Sequence, residues 1–266
     1  MFGAQLARSL RRRRSTAAIL IMVMLVGFQI YTLLQSLAAP SSSQPSTQSS
    51  SPSDVLADAT HSPVDANSAL EKLEVKGRAA KTGYTRAQFG DGWAEVSGCD
   101  VRNLILQRDL QDKVLDKTGC KVVSGTLEDP YTAKTISFVR GESSSDAVQI
   151  DHVVALSDAW QKGAQQLEPS TRARLANDSL NLLAVDGDTN QKKGDSDAAS
   201  WLPPNKDYRC RYVARQIAVK QKYELWVTDA EKSAIKRVLD TCPGQTLPIE
   251  VIATGTIYGV ESGNGS

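Results

Sequence analysis

The chain has 266 residues and a formal net charge of +1, a near-neutral sum that hides an asymmetry. Arg8 and Arg11 to Arg14 place five of the 31 basic residues before residue 40, and all 30 acidic residues follow it, so the remainder carries 26 basic against 30 acidic residues, a net of −4. Such a body has no charge surplus to attract a polyanion, and any hold on nucleic acid must come from a local basic patch or a bound cation.

The basic start, Met1 to Arg14, leads into an apolar run from Thr16 to Leu34 broken only by Gly27, Gln29, Tyr31 and Thr32. This is an export signal. Ser36-Leu37-Ala38-Ala39 resembles a cleavage site, yet a run of about 19 apolar residues is also long enough to span a bilayer. Residues 1–39 therefore read as a signal peptide or a retained signal anchor. With the arginines held inside, the rest of the chain faces outward, secreted or tethered to the membrane by this one segment. Residues 40–68 are rich in Ser, Pro and Gln and read as a disordered spacer.

About 175 to 200 residues remain, enough for one domain with a real core. Leu70, Leu73 and Val75 open an amphipathic segment, and Tyr84, Phe89 and Trp93 crowd a Gly/Asp-containing stretch that ends at Cys99. Asp100 can cap a helix whose apolar residues, Val101, Leu104, Ile105 and Leu110, recur at helical spacing. Residues 121–127 and 135–139 are strand-like and flank Asp129-Pro130-Tyr131, a hairpin signal. Two further strand-like runs, Val148 to Val154 and Asn181 to Val185, enclose short helical segments at Ser157 to Lys162 and from Pro169 through Leu175. Pro203-Pro204 stops what precedes it. A helical pattern follows over Tyr208 to Tyr223, and Thr228 with Glu231 reads as a capping box for a helix reaching Cys242. Residues 243–266 carry no clear signal. The class is α+β, one domain over 69–242.

Cys99, Cys120, Cys210 and Cys242 all lie in the exported part, where disulfides can form. Three pairings are possible. Cys99 with Cys120 and Cys210 with Cys242 is favoured, because each pair brackets one local unit and closes a loop worth roughly 3 kcal/mol in the chain-entropy model. Zinc binding is the competing use, although none of the four shows CxxC spacing.

The chemistry concentrates between Val148 and Trp201. His61 lies in the spacer, so His152 is the one imidazole available to the domain. Adjacent strand residues point to opposite faces, so Asp151 and His152 share a site only if the strand ends or bends between them. Together they offer a hard oxygen ligand for a divalent cation and a base suited to taking a proton from water. Asp186, Asp188, Asn190 and Asp195, mixed with Lys192 and Lys193, add oxygen donors and positive charge within ten residues. Blander uses exist for each. Asp186, Asp188 and Asp195 suit turns and helix caps, Asn181 a turn before a strand, and the two lysines a solvated helix face.

Asp-His-Val-Val-Ala-Leu-Ser-Asp-Ala-Trp from Asp151, with Asn-Leu-Leu-Ala-Val-Asp-Gly-Asp-Thr-Asn-Gln-Lys-Lys-Gly-Asp from Asn181, resembles the HNH, or ββα-metal, nucleases. The similarity is closest to the C-terminal domain of the GmrSD restriction endonucleases and to exported proteins that carry it. The resemblance implies a ββα-metal core with additional helices and a hairpin. It implies that His152 is the general base, that Asp151 and Asn190 hold one divalent cation, Mg or Mn, and that Asn181 ties the loop holding the histidine. Lys192 and Lys193 would contact phosphate. The substrate would be nucleic acid, DNA more than RNA, cut by phosphodiester hydrolysis. Asp stands first in the motif and Asn last, a variant of the HNH letters. A non-catalytic, disulfide-stapled module that binds an envelope component or a protein is the rival reading. A serine hydrolase is disfavoured, since no Gly-x-Ser-x-Gly appears and Ser143 to Ser145 read as a loop. Oligomeric state is not legible.

Overall fold

The computed structural model describes residues 63–141, 145–253 and 256–260, with 249–260 described by backbone alone. The signal or anchor expected over 1–39 and most of the spacer lie outside the described residues. Among the described residues no helix is long and apolar enough to cross a membrane.

The first described helix straddles residue 69. Asp65 accepts from the Ser68 backbone N–H at 2.8 Å and caps helix α1, Ala66–Glu71, which buries Ala66, Ala69 and Leu70. A short ladder follows, β1 (Glu95–Val96) with β2 (Cys99–Asp100). Helix α2 (Val101–Asp109) then starts at Asp100, whose carboxylate accepts from the Asn103 N–H at 2.8 Å. The expected hairpin is present as β4 (Val122–Glu128) with β5 (Thr135–Val139), and β3 (Gln111–Leu115) adds a third strand. That strand escaped detection because it is a polar edge, with four of its five residues exposed and a register shift where it pairs.

At the centre, β6 (Val148–His152) pairs antiparallel with β7 (Leu182–Asp186), and β7 runs directly into helix α5 (Gly187–Lys193). Between the strands lie α3 (Leu156–Gln161) and α4 (Pro169–Asn177), the latter starting on a proline whose missing N–H costs nothing at that position. The hairpin divides two cores. Val148, Ile150, Leu182 and Ala184 pack with α2 and the three-stranded sheet, while Leu183 and Val185 face the larger core built on α6 (Arg209–Lys222) and α7 (Asp229–Leu239). A strand buried on both faces reads as a continuous apolar run, which is what Leu182-Leu183-Ala184-Val185 is.

Among the described residues the outer edge of β7 has no neighbouring strand, and side chains satisfy it instead. Asp109 accepts from the Ala184 N–H at 2.8 Å, Asp129 from the Asp186 N–H at 3.0 Å, and Arg108 donates to the Leu182 carbonyl at 2.7 Å. Unpaired edge groups thus become the docking points for α2 and the β4–β5 turn. Both expected disulfides are present, Cys99–Cys120 and Cys210–Cys242. A further hairpin, β8 (Ile249–Ala253) with β9 (Thr256–Val260), occupies the segment that carried no sequence signal.

One expectation is corrected at α7. Thr228 Oγ accepts from the Glu231 N–H at 3.1 Å, but Glu231 does not return the bond as a capping box requires. Its carboxylate is fully buried between Lys162 Nζ at 2.7 Å and Lys220 Nζ at 3.0 Å. Lys162 also meets Asp158 at 2.8 Å and Asp197 at 2.7 Å, and Arg78 reaches the same two carboxylates at 2.8 Å. Burial pushes the Lys162 ammonium down, and the Asp158 and Glu231 charges outweigh it and hold it raised. Burial likewise opposes the charge on Asp197, yet Lys162 and Arg78 hold that carboxyl at about 2. Two buried lysines and the exposed Arg78 therefore balance three buried carboxylates, joining α3, α6, α7 and the segment after α5.

Candidate active site

The strand β6 extends through His152, so the backbone does not bend between it and Asp151. The two side chains leave on opposite faces, as the pleat demands. Gln149 and Asp151 face α5, where Asn190 Nδ2 donates to Gln149 Oε1 at 2.9 Å and Lys193 Nζ to Asp151 Oδ1 at 2.8 Å. His152 faces the other way, its ring lying parallel to that of Trp93 within 3° at a centroid distance of 6.0 Å.

Helix α5 can approach β6 this closely because of one residue. A Cβ on Gly187 would sit 1.9 Å from the Asp146 carbonyl oxygen, so only glycine lets the first turn pass. Asp186 caps that turn, accepting from the Thr189 N–H at 2.8 Å.

The Asp151 carboxylate has two firm partners. Besides Lys193 on Oδ1, Tyr131 Oη donates to Oδ2 at 2.5 Å. Tyr131 comes from the β4–β5 turn, which Asp129 fastens to the start of α5 by accepting from the Asp186 N–H at 3.0 Å. Burial first, and then the Asp151 charge, push the Tyr131 phenol well above its ordinary value, so it stays a donor.

His152 is 7% exposed, and its Nε2 lies 2.9 Å from the Ala176 carbonyl oxygen. A carbonyl can only accept, so Nε2 carries the proton and Nδ1 keeps its lone pair. Burial lowers the imidazole to about 3; the Ala176 bond pulls it back, and the charges of Arg86 and Lys193 add to the lowering. The ring is neutral near pH 7.

Asn181 is fully buried and holds the turn after His152. Its Oδ1 accepts from the Val154 N–H at 2.8 Å, its Nδ2 donates to the Val154 carbonyl at 3.2 Å, and its own carbonyl accepts from the Val153 N–H at 2.8 Å. Lys192 is exposed on α5. Lys193 is not on the surface with it: 1% exposed, it bonds Asp151 and also the His152 carbonyl at 2.9 Å. Asp195 lies at the mouth, accepting from Lys81 and Ser157 at 2.9 Å each.

Two clefts meet at the histidine. One, of about 300 Å³, runs along α5 and is lined by Gln149, Asp151, Asn190 and Asp195 among others. The second, of about 320 Å³, opens on the other side between Phe89, Trp93 and Ala176. Arg86, His152 and Leu156 line both. Asp151, His152 and Asn190 thus share one cleft, although among the described residues no three His, Cys, Asp or Glu side chains converge as a metal cage would need. Tyr131, Trp93 and Arg86 went unassigned in the sequence because each arrives from a distant segment with no motif of its own.

The strand carrying Asp-His, the second strand and the capped helix carrying Asn190 all fall within one family match. Residues 100–238 match the C-terminal domain of the GmrSD restriction endonucleases. The chain belongs to that family. The match spans α2 to α7 and includes every site residue named above except Lys81, Arg86, Phe89 and Trp93. An uncharacterized secreted protein from the fungus Arthroderma benhamiae is 41% identical over 180 residues, which are 66% of this chain and 84% of that protein. Membership associates this GmrSD-type domain with nuclease function.

Proposed function

We propose that this chain is an exported endonuclease of the HNH type that hydrolyses phosphodiester bonds in nucleic acid, DNA in preference to RNA, with His152 as general base and one divalent cation. The observation that carries the reading is the Ala176 bond to His152 Nε2, which leaves Nδ1 as the base on a ring that lines both clefts. In the hydrolysis, Nδ1 takes a proton from water, the water oxygen bonds to phosphorus, and the bond to the 3′-oxygen breaks. A ring held near 3 is a weak base in the free protein. An arriving phosphate anion favours the imidazolium, so the ring's proton affinity rises when the proton must be taken.

The donor set suits a hydrated cation rather than a caged one. Asp151 keeps a lone pair on each oxygen beside its two partners, and the Asn190 amide oxygen has no hydrogen-bond partner among the described residues. One carboxylate, one amide oxygen and water is a donor set that Mg or Mn accepts. Bound there, the cation would stabilise charge on the transition state and on the leaving 3′-oxygen. Lys193 orients Asp151, Asn181 holds the His152 turn, and Lys192 remains available to phosphate.

The test is cleavage of plasmid and RNA by the full, oxidised chain with magnesium, manganese or chelator. Cation-dependent cleavage is expected, and Asn190→Ala should raise the cation concentration needed for half the maximal rate by at least about tenfold. A folded protein that cleaves neither substrate under any cation would instead favour the non-catalytic binding module.

A further inference from the structure

The second cleft is not used by that chemistry, although it opens on the same histidine. Its walls are mostly apolar: Phe89, Trp93, Leu156 and Ala176 with the His152 ring. Two flat rings, Trp93 and His152, lie parallel on its wall with centroids 6.0 Å apart, too close for a third ring between them. A planar ligand entering the cleft stacks instead on the half-buried Trp93 ring from outside that pair, and every nucleobase offers such a face.

The cleft is preformed. The loop that bears Trp93 turns at Gly90 (φ 98°) and Gly92 (φ 113°), conformations that L side chains rarely adopt. It is fastened to α4 on both sides, Arg172 Nε donating to the Gln88 carbonyl at 2.7 Å and the Ala94 N–H to Asn177 Oδ1 at 2.8 Å. Trp93 is half-buried, and its indole N–H has no hydrogen-bond partner among the described residues.

Arg86 stands where the two clefts join. It is exposed and, among the described residues, forms no ion pair or hydrogen bond, whereas nearby Arg78, Lys81 and Lys193 are all paired with carboxylates. In a body of net negative charge, an unpaired guanidinium beside the histidine is suited to a phosphate. Asp91 also lines the second cleft and repels phosphate, which favours Arg86 as the contact for the charged group.

Building on the nuclease reading, we propose that residues 86–93 form a nucleotide subsite, in which one unpaired base stacks on Trp93 inside the second cleft while Arg86 holds its phosphate at the junction. The substrate is then single-stranded or locally unpaired nucleic acid. A base in a perfect duplex has to leave its stack to enter, at a cost that is least for single strands and mismatches.

The experiment measures binding of fluorescein-labelled oligothymidylate, oligouridylate and a fully paired hairpin to the full, oxidised chain in chelator, by anisotropy, with circular dichroism to check folding. Wild type should bind both single strands at least about tenfold more tightly than the hairpin. Trp93→Ala should lose roughly 5- to 100-fold in single-strand affinity and Trp93→Phe should keep most of it. An abasic strand should bind wild type no better than the intact strand binds Trp93→Ala, a check that needs no folded variant. Arg86→Gln should reduce the salt slope by about one. Equal affinity for strand and hairpin, or an unchanged affinity in Trp93→Ala, would overturn the subsite. Adding magnesium separates the two readings. Cleavage without strand preference sinks the subsite and leaves the nuclease, while Trp93-dependent strand binding without any cleavage does the reverse.

Discussion

Two groups of buried charge lie on either side of the loop after α5, and they are built to opposite ends. Around Lys162, three cations meet three carboxylates, and neither Glu231 nor Lys162 has any exposed surface. Around Asp151, the carboxylate is matched by Lys193 and Tyr131, but His152 keeps an unpaired ring nitrogen and Asn190 an unpaired amide oxygen on the wall of a cleft. The first group has matched its charges within itself, and only Arg78 reaches the surface. The second holds donors and acceptors in reserve where a ligand can reach them. Buried charge alone therefore does not mark a functional site; unspent bonding capacity beside a cavity does.

The largest effect expected from that contrast is on stability at the closed group. Lys162→Met leaves Asp158, Asp197 and Glu231 sharing fewer cations in the interior, which should cost about 3–5 kcal/mol, read as a lower urea midpoint. An unchanged midpoint would mean that the network contributes no more than an exposed pair, and the contrast would fail. A smaller effect separates the histidine by pH. In the fold the imidazole is held at about 3, while its unfolded value is near 6.5, so above pH 6.5 the group is neutral in both states and adds no pH dependence. Below pH 6.5 the unfolded chain takes up a proton that the fold refuses, and stability falls with pH until about 3. By pH 5 the loss should reach roughly 2 kcal/mol, and it should be absent in His152→Gln. Equal pH slopes in the two proteins would show that His152 is not held neutral.

Much of the frame was legible because its signals are local. Asp100 and Thr228 cap the helices their positions announce, Pro169 starts another, and the two disulfides close the units they bracket. The strand, strand and helix that carry Asp151, His152 and Asn190 follow from period and turn residues. What stayed hidden depends on contacts far apart in sequence. Glu231 looks like a capping partner until Lys162 and Lys220 are placed beside it, and Lys193 looks like a surface lysine until α5 docks on β6. Tyr131 reads as a turn residue, and nothing local says that the turn is fastened to α5 and aims the phenol at Asp151, 20 positions away. Gly187 reads as a turn glycine, whereas its need is set by the Asp146 carbonyl from another segment.

The most direct test of the open site is the cleavage rate of His152→Ala beside wild type, in full oxidised chains with magnesium, with the unfolding free energy of each taken at neutral pH. The account predicts a rate lower by about 10²- to 10⁴-fold, the share of a general base, in a protein that remains folded. A variant that cleaves as fast as wild type would contradict it, and the catalytic centre would have to be sought elsewhere in the chain.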